Sequence, residues 1–229
     1  MFSSIIIEGC DRLGKGTLIE GLLQRLGYFQ VIHYEKPKLL DRYLTGPILH
    51  QQERSREALK QYQLESFTTM LRMLSSEAKL ILDRAHLGEF VYAPRYRKYD
   101  GTYVFELERH FKSIGSKFDE RTLLILLHTS DWNFISDDGK SFDVTQREEE
   151  QNDFYRAFDR SLITHKVLLD VHDGSGAFVS PQKILEIAVE AFNRIQQHQM
   201  PVLNVRWKHE NGEIQRIAEQ QPDPKKFIK

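Results

Sequence analysis

At 229 residues the chain is long enough for one sizeable core with a small appendage, so no second large domain is required. Its 32 Lys and Arg balance 33 Asp and Glu, which gives no global field of the kind that non-specific DNA binding needs and leaves a nucleic-acid partner neither supported nor excluded. A single cysteine rules out an internal disulfide; no Cys or His cluster has metal-ligand spacing, and no signal peptide or apolar run of membrane length is present, so the sequence reads as soluble and intracellular with no membrane partner.

Phe2 to Ile7 is a short isoleucine-rich run that predicts a buried parallel strand. Directly after it, Gly9-Cys10-Asp11-Arg12-Leu13-Gly14-Lys15 has the G-x-x-x-x-G-K spacing of a phosphate-binding loop. Leu18, Leu22, Leu23 and Leu26 follow at helical spacing, so a helix starts inside the loop. Its first amides, around Gly14 to Thr17, then converge on a polyphosphate with the positive end of the helix dipole behind them. Gly9 and Gly14 admit backbone angles and a close approach that a side chain would block, and Lys15 is the cation for the outer phosphates. The residue after the lysine is Gly16, and the hydroxyl follows at Thr17. Gly-Lys-Gly-Thr resembles the adenylate kinase form of the loop, in which the threonine serves a phosphate and magnesium needs a carboxylate or water elsewhere. Cys10 reads as a small residue tolerated in a tight turn, the alternative being a thiol acidified at a helix start.

Phe29 to Tyr34 predicts a second strand, followed by Glu35-Lys36-Pro37-Lys38. A helix from about Gln52 to Glu77 follows, with Leu59, Tyr62, Phe67, Met70, Leu71 and Leu74 as its apolar side, and then a third strand, Lys79 to Asp83, that ends in an acid. Residues 86 to 113 read as irregular to helical, Phe105 to Ile114 being the clearest helix, and Leu123 to Leu127 is a buried fourth strand. A polar loop over residues 130 to 146, with Asp137-Asp138-Gly139-Lys140-Ser141, leads into a charged helix from Gln146 to Ser161. Val167 to Val171 is the fifth strand. Ser180 and Pro181 open a last helix through about Gln196 that buries Ile184, Leu185, Ala188, Phe192 and Ile195. Leu203 to Trp207 and Glu213 to Ile217 flank Asn211-Gly212 and predict a hairpin appended to the main sheet. Strands alternating with helices predict a parallel sheet covered on both faces, with ligands beyond the carboxyl ends of the strands. The glycine loop, Glu35, Asp83 and the Asp173 region should therefore share one rim.

Asp83-Arg84 is followed by Tyr92 after seven intervening residues. Together with Gly9-x-Asp11-x-x-Gly14-Lys15 this resembles thymidylate kinase-like P-loop kinases of (deoxy)nucleoside monophosphates, nearest to their bacteriophage members, over roughly residues 3 to 195. The resemblance implies an α/β fold: a P-loop kinase three-layer sandwich with a five-stranded parallel sheet, to which the small C-terminal hairpin is added. Residues 1–198 would form the kinase domain, with a lid near 136–150, and residues 199–229 a tail or hairpin extension. The implied activity is ATP-dependent phosphoryl transfer to a deoxynucleoside monophosphate, dTMP or a related pyrimidine nucleotide first of all. ATP and Mg2+ are the implied cofactors, a homodimer is compatible, and the location is the cytoplasm, the host's if the source is viral.

Carried over residue by residue, ATP falls to Gly9, Asp11, Arg12, Gly14, Lys15, Gly16 and Thr17. Asp83 becomes the magnesium-organising or catalytic carboxylate, and Arg84 the ligand of the acceptor phosphate. Lys36, beside Glu35, would bind that phosphate as well; Tyr92 would wall the sugar, and Phe67 either stacks on the base or simply packs in the core. In the lid, Ser136 to Arg147, the candidate arginines are Arg147, Arg156 and Arg160, with Lys140 behind them and Arg147 the first choice; the alternative for each is a charged helix face balanced by Glu148 to Glu150. Ala93-Pro94 stands where the family commonly continues with glutamine, so base specificity is open. The cluster Arg95-Tyr96-Arg97-Lys98-Tyr99 after it reads as a solvated loop, an anion clamp or a contact for a larger substrate, in that order. Three other functions fit some of these residues. In a deoxynucleoside kinase, Glu35 would take the proton from a sugar hydroxyl. In a kinase acting on a modified base within DNA, Arg95 to Lys98 would hold the strand. A non-enzymatic nucleotide switch is disfavoured because Asn-Lys-x-Asp is absent.

Overall fold

The computed structural model describes residues 4–34, 49–76, 78–136, 144–197, 203–210 and 213–220. The first strand, β1 (Ser4–Glu8), lies between β3 (Leu80–Asp83) and β4 (Thr122–His128). Ile5, Ile6 and Ile7 are all fully buried, which explains an uninterrupted apolar run in place of alternation: both faces of the sheet are covered. The complete order is β2-β3-β1-β4-β5-β6-β7, with β2 Gln30–His33, β5 His165–Asp170, β6 Leu203–Glu210 and β7 Glu213–Gln220. Every neighbouring pair from β2 to β6 is parallel, and only β7 returns antiparallel on β6. The expected five-stranded parallel sheet is thus present, and the hairpin continues it.

Helix α1 (Lys15–Leu26) packs against α7 (Pro181–Gln196), which is the crossover between β5 and β6. A second group, α2 (Leu49–Ser75), α3 (His86–Tyr92), α4 (Tyr103–Ser113), the short α5 (Phe118–Arg121) and α6 (Arg147–Arg160), packs among itself. Residues 86 to 113 are more helical than their sequence suggests: α3 runs into a π-helical turn, Ala93–Arg97, before α4 begins. The Ser180 side chain accepts the Lys183 N–H at 3.4 Å and caps α7 as expected. Two burial expectations need correction. Tyr62 is 57 % exposed, and the buried stripe of α2 passes through Gln63 instead, because Leu59, Gln63 and Phe67 repeat every four residues while Tyr62 lies about 100° away. Leu185 is half-buried, and Ile187 and Ala191 complete the inner face of α7. No helix among the described residues is long and apolar enough to cross a membrane.

A buried polar knot joins three of these helices. Glu108 of α4 is fully buried; it pairs with His86 Nε2 at 2.6 Å and accepts from the Ser161 hydroxyl at 2.7 Å and the Leu162 N–H at 2.6 Å. Burial pushes the Glu108 carboxyl up, but these partners outweigh it and hold the group below the usual carboxylate value. The carboxyl ends of the strands gather titratable side chains on one side of the sheet: His33 lies in register with Asp83, and His128 with Asp170.

Candidate active site

The loop after β1 follows from its glycines. Gly9 has φ 132°, and a Cβ there would sit 2.4 Å from the Leu127 carbonyl oxygen. Gly14 has φ 83° and caps α1 in the left-handed region. Between them the Lys15 side chain turns inward and is 7 % exposed; its ammonium donates to the Gly9 carbonyl at 2.9 Å and the Cys10 carbonyl at 2.6 Å. Burial, then Arg84, lowers the Lys15 pKa, while Asp11 at 3.8 Å opposes the shift. Asp11, Arg12, Gly14, Gly16, Thr17, Asp83 and Arg84 line an open depression with Lys15, and Gly14, Gly16 and Thr17 are exposed. Every residue expected to bind ATP except Gly9 borders this depression. Cys10 is buried and its thiol is pushed up to about 12, chiefly by burial, so it behaves as the inert small residue of the two alternatives.

At the end of β3, Arg84 has φ 65°, and Arg12 across the loop has φ 71°. These left-handed arginines flank the same depression, where side chains rarely adopt such angles. The Arg84 N–H is held by the Ile7 carbonyl at 3.0 Å, and its guanidinium bonds Asp11. Asp83 Oδ2 meets His33 Nδ1 at 2.7 Å, while Oδ1 is buried with no hydrogen-bond partner among the described residues. No group of three candidate ligands for a metal occurs among the described residues. The donor set nevertheless fits magnesium, which keeps most of its shell as water and phosphate and takes one or two carboxylates.

A second cavity, of about 150 Å3, adjoins the first, and Asp11 and Arg84 line both. Phe67 forms part of its wall and of the core, 5.9 Å from the Tyr34 ring, so both roles foreseen for Phe67 are open to it at once. Tyr92 lines the cavity too, T-shaped on Phe154 at 5.7 Å, and burial pushes its hydroxyl well above the usual value.

Away from the loop the wall is a network around Glu89, which is 2 % exposed. Its carboxylate accepts from Tyr99 at 2.6 Å, Tyr103 at 2.9 Å, Gln63 Nε2 at 3.3 Å and Arg97. Burial opposes the Arg97 charge, but Glu89 more than restores it. With its amide nitrogen committed to Glu89, Gln63 keeps its carboxamide oxygen as the remaining acceptor.

The Arg95 to Tyr99 cluster is therefore not the solvated loop expected first. Arg97 is buried on Glu89, and Arg95 bonds Asp153, Glu149 at 3.2 Å and Gln146 at 3.1 Å, while Tyr96 donates to Glu150. Of its three cations only Lys98 is exposed. The cluster braces the first turns of α6 against the π-helical turn. Among the arginines proposed for the lid, Arg147 lines the second cavity, 5.8 Å from the Trp132 ring. Arg156 points to Asp153 at 3.0 Å with most of its side chain in solvent, and Arg160 lies 4.4 Å from the Phe105 ring; neither lines the cavity. Asp173 accepts from the Ser175 and Ala177 amides of its own loop and borders neither cavity. Glu35, Lys36 and Lys140, and the lid between 137 and 143, lie outside the described residues.

Glu8, Gln63 and Glu89 are not singled out by the sequence, and Arg97 stands out there only as one member of the basic cluster, without its partner. Glu8 is the one charged residue of an isoleucine-rich strand, and Gln63 lies one turn before Phe67 on the same stripe; both signals are legible in the sequence. Glu89 and Arg97 meet only because a π-helical turn intervenes, which no spacing rule foresees.

No protein-family model matches the sequence, and no curated protein matches it either. Solved structures do match in fold. One is the YorR protein of Bacillus subtilis, in complex with phosphorylated GDP, at 17% identity and TM-score 0.55, covering 87% of this chain and 100% of that one. Another is the thymidylate kinase of Candida albicans, at 16% identity and TM-score 0.53, covering 94% and 98%. The fold is thus the P-loop kinase fold that the motifs implied.

Proposed function

We propose that the protein is an ATP- and magnesium-dependent kinase of deoxynucleoside monophosphates, with dTMP or a related pyrimidine nucleotide as acceptor. The observation that carries this reading is the wall shared by the two cavities: Asp11 and Arg84 border both the phosphate loop and the aromatic cavity. A donor phosphate on the loop and an acceptor phosphate at Arg84 would meet across that wall.

In this reading the loop amides and Lys15 hold the donor phosphates, Lys15 leaving its two loop carbonyls to do so. Asp83 would hold magnesium, which supplies charge neutralisation between the outer phosphates when bound. Arg84, already in a left-handed turn that aims it at the loop, grips the acceptor phosphate by two N–H groups. An oxygen of that phosphate attacks the outer phosphorus of ATP and ADP departs; an ionised phosphate needs no base to take a proton. Arg147 follows the charge of the transferred group. Phe67 and Tyr34 flank the base, with the Gln63 oxygen and the Arg97 guanidinium as acceptor and donor for its polar rim.

The test is ADP release from ATP and magnesium across a panel of nucleosides, nucleoside monophosphates and duplex DNA. Deoxynucleoside monophosphates, pyrimidine ones foremost, should support turnover. Activity confined to nucleosides or to duplex DNA would overturn the reading in favour of a sugar-hydroxyl or DNA-base kinase.

A further inference from the structure

Asp83 ends β3, and its two neighbours in the sheet differ in kind. The register of the parallel strands sets Ile7 of β1 beside it on one side and His33 of β2 on the other. An isoleucine side chain offers a carboxylate nothing to bond, so in this register any orienting contact has to come from β2. His33 supplies it, with Nδ1 at 2.7 Å from Asp83 Oδ2. A carboxylate only accepts, so Nδ1 carries the hydrogen of this bond. The main chain is tied down at the same place: the Tyr34 N–H donates to the Asp83 carbonyl at 3.1 Å, and the Arg84 N–H to the Ile7 carbonyl at 3.0 Å.

The consequence falls on the other carboxylate oxygen. With Oδ2 committed to His33, the side chain is restrained from turning about its last bond, and Oδ1 keeps one position. That oxygen is buried and has no hydrogen-bond partner among the described residues, in a side chain that borders the phosphate-loop depression with Lys15 and Arg84. A buried acceptor left in this state calls for a partner. Magnesium demands oxygen ligands in near-ideal octahedral geometry, which a wandering carboxylate serves poorly. Imidazole suits softer metals, so His33 belongs behind the carboxylate and not on the ion. Carboxylates that ligate metals are themselves held by hydrogen bonds, and those outer partners govern affinity nearly as the ligands do.

Resting on the reading of Asp83 as the magnesium carboxylate, we propose that His33 is a positioning residue that fixes Asp83 so that Oδ1 is the oxygen presented to the metal. The bond is in place before any ligand arrives, which spares the cost of ordering the carboxylate on binding.

Calorimetric titration of magnesium into the full chain saturated with ADP tests this without turnover. The His33 side chain is 42 % exposed, so replacing it opens no hole in the core. His33→Leu should weaken magnesium binding by about tenfold to a hundredfold, the range for loss of such an outer partner, and leave the affinity for ADP in the absence of metal unchanged. His33→Asn, whose amide nitrogen can take the place of Nδ1, should restore most of the loss. On an Asp83→Asn background His33→Leu should add nothing, because its effect runs through that carboxylate. Wild-type magnesium affinity in His33→Leu, with Asp83→Asn weakened, would overturn the proposal. So would a His33→Leu protein that loses ADP affinity equally with and without magnesium, since that marks a general disturbance of the loop. Unchanged magnesium binding in Asp83→Asn would defeat the reading of Asp83 itself, and the role of His33 with it.

Discussion

Replacing Glu89 by glutamine removes one charge from the wall of the second cavity while keeping the shape. Four side chains donate to that carboxylate, and Arg97, itself 8 % exposed, is the only cation among them. Glutamine accepts only at its oxygen and turns an N–H pair toward the remaining donors, so Arg97 is left buried without its counter-charge. Breaking a buried pair from one side costs about 3–5 kcal/mol. Arg97→Met leaves Glu89 with Gln63, Tyr99 and Tyr103, all neutral donors, and should cost about 3 kcal/mol, the low end of that range. The double variant has neither orphan, so its loss should fall short of the sum by about 2 kcal/mol. Equilibrium urea unfolding followed by circular dichroism reads all three values, provided the denaturant slope stays constant. Either single change costing under about 1 kcal/mol, or strict additivity, would refute the idea that this pair organises the cavity wall.

Lys15→Ala should leave the fold intact and lower turnover by about a hundredfold or more, roughly 2.7 kcal/mol, since the lysine acts on charge that grows in transit; near-normal turnover removes the kinase reading. Arg84→Lys, which loses the planar two-point grip, should raise the KM of the acceptor far more than that of ATP, and steady-state kinetics with each substrate varied will tell. Arg147→Ala should slow single-turnover transfer more than Arg160→Ala, because only Arg147 reaches the cavity; equal effects would mean the wrong arginine. Glu108 sits below the ordinary glutamate value of 4.5, so its stabilisation is present above that pH and lost as pH falls through its lowered folded value. Acid titration monitored by circular dichroism should therefore show a shallower loss for Glu108→Gln, from a lower starting stability, than for wild type.

The sequence was most legible where short-range chemistry dictates the backbone. Gly9 and Gly14 announced the loop because no other residue fits φ 132° against Leu127 or φ 83° at the helix cap as readily. The isoleucines of β1 announced a buried strand, and the Asn211-Gly212 pair its hairpin. Side-chain partnership was less legible, since partners are chosen by packing across the chain. Arg95 and Arg97 look alike in a basic run, yet one is bound to α6 and the other to Glu89. Arg147, Arg156 and Arg160 likewise share a helix, and their positions along and around its axis separate a cavity residue at its start from one stacked on Phe105 at its end.

The hairpin that widens the sheet also changes what β5 is. Val167, Leu168 and Leu169 pair with Leu203, Asn204 and Val205 on one side and with β4 on the other, so their backbone groups are satisfied on both flanks. Cutting the chain after α7 would turn β5 into an open edge, with a row of unpaired amides and carbonyls on a strand rich in valine and leucine. Such edges recruit strands from other molecules. The hairpin thus acts as a guard on the outermost apolar strand, and a chain shortened to residue 197 should self-associate through β5 even where its nucleotide cavities are whole.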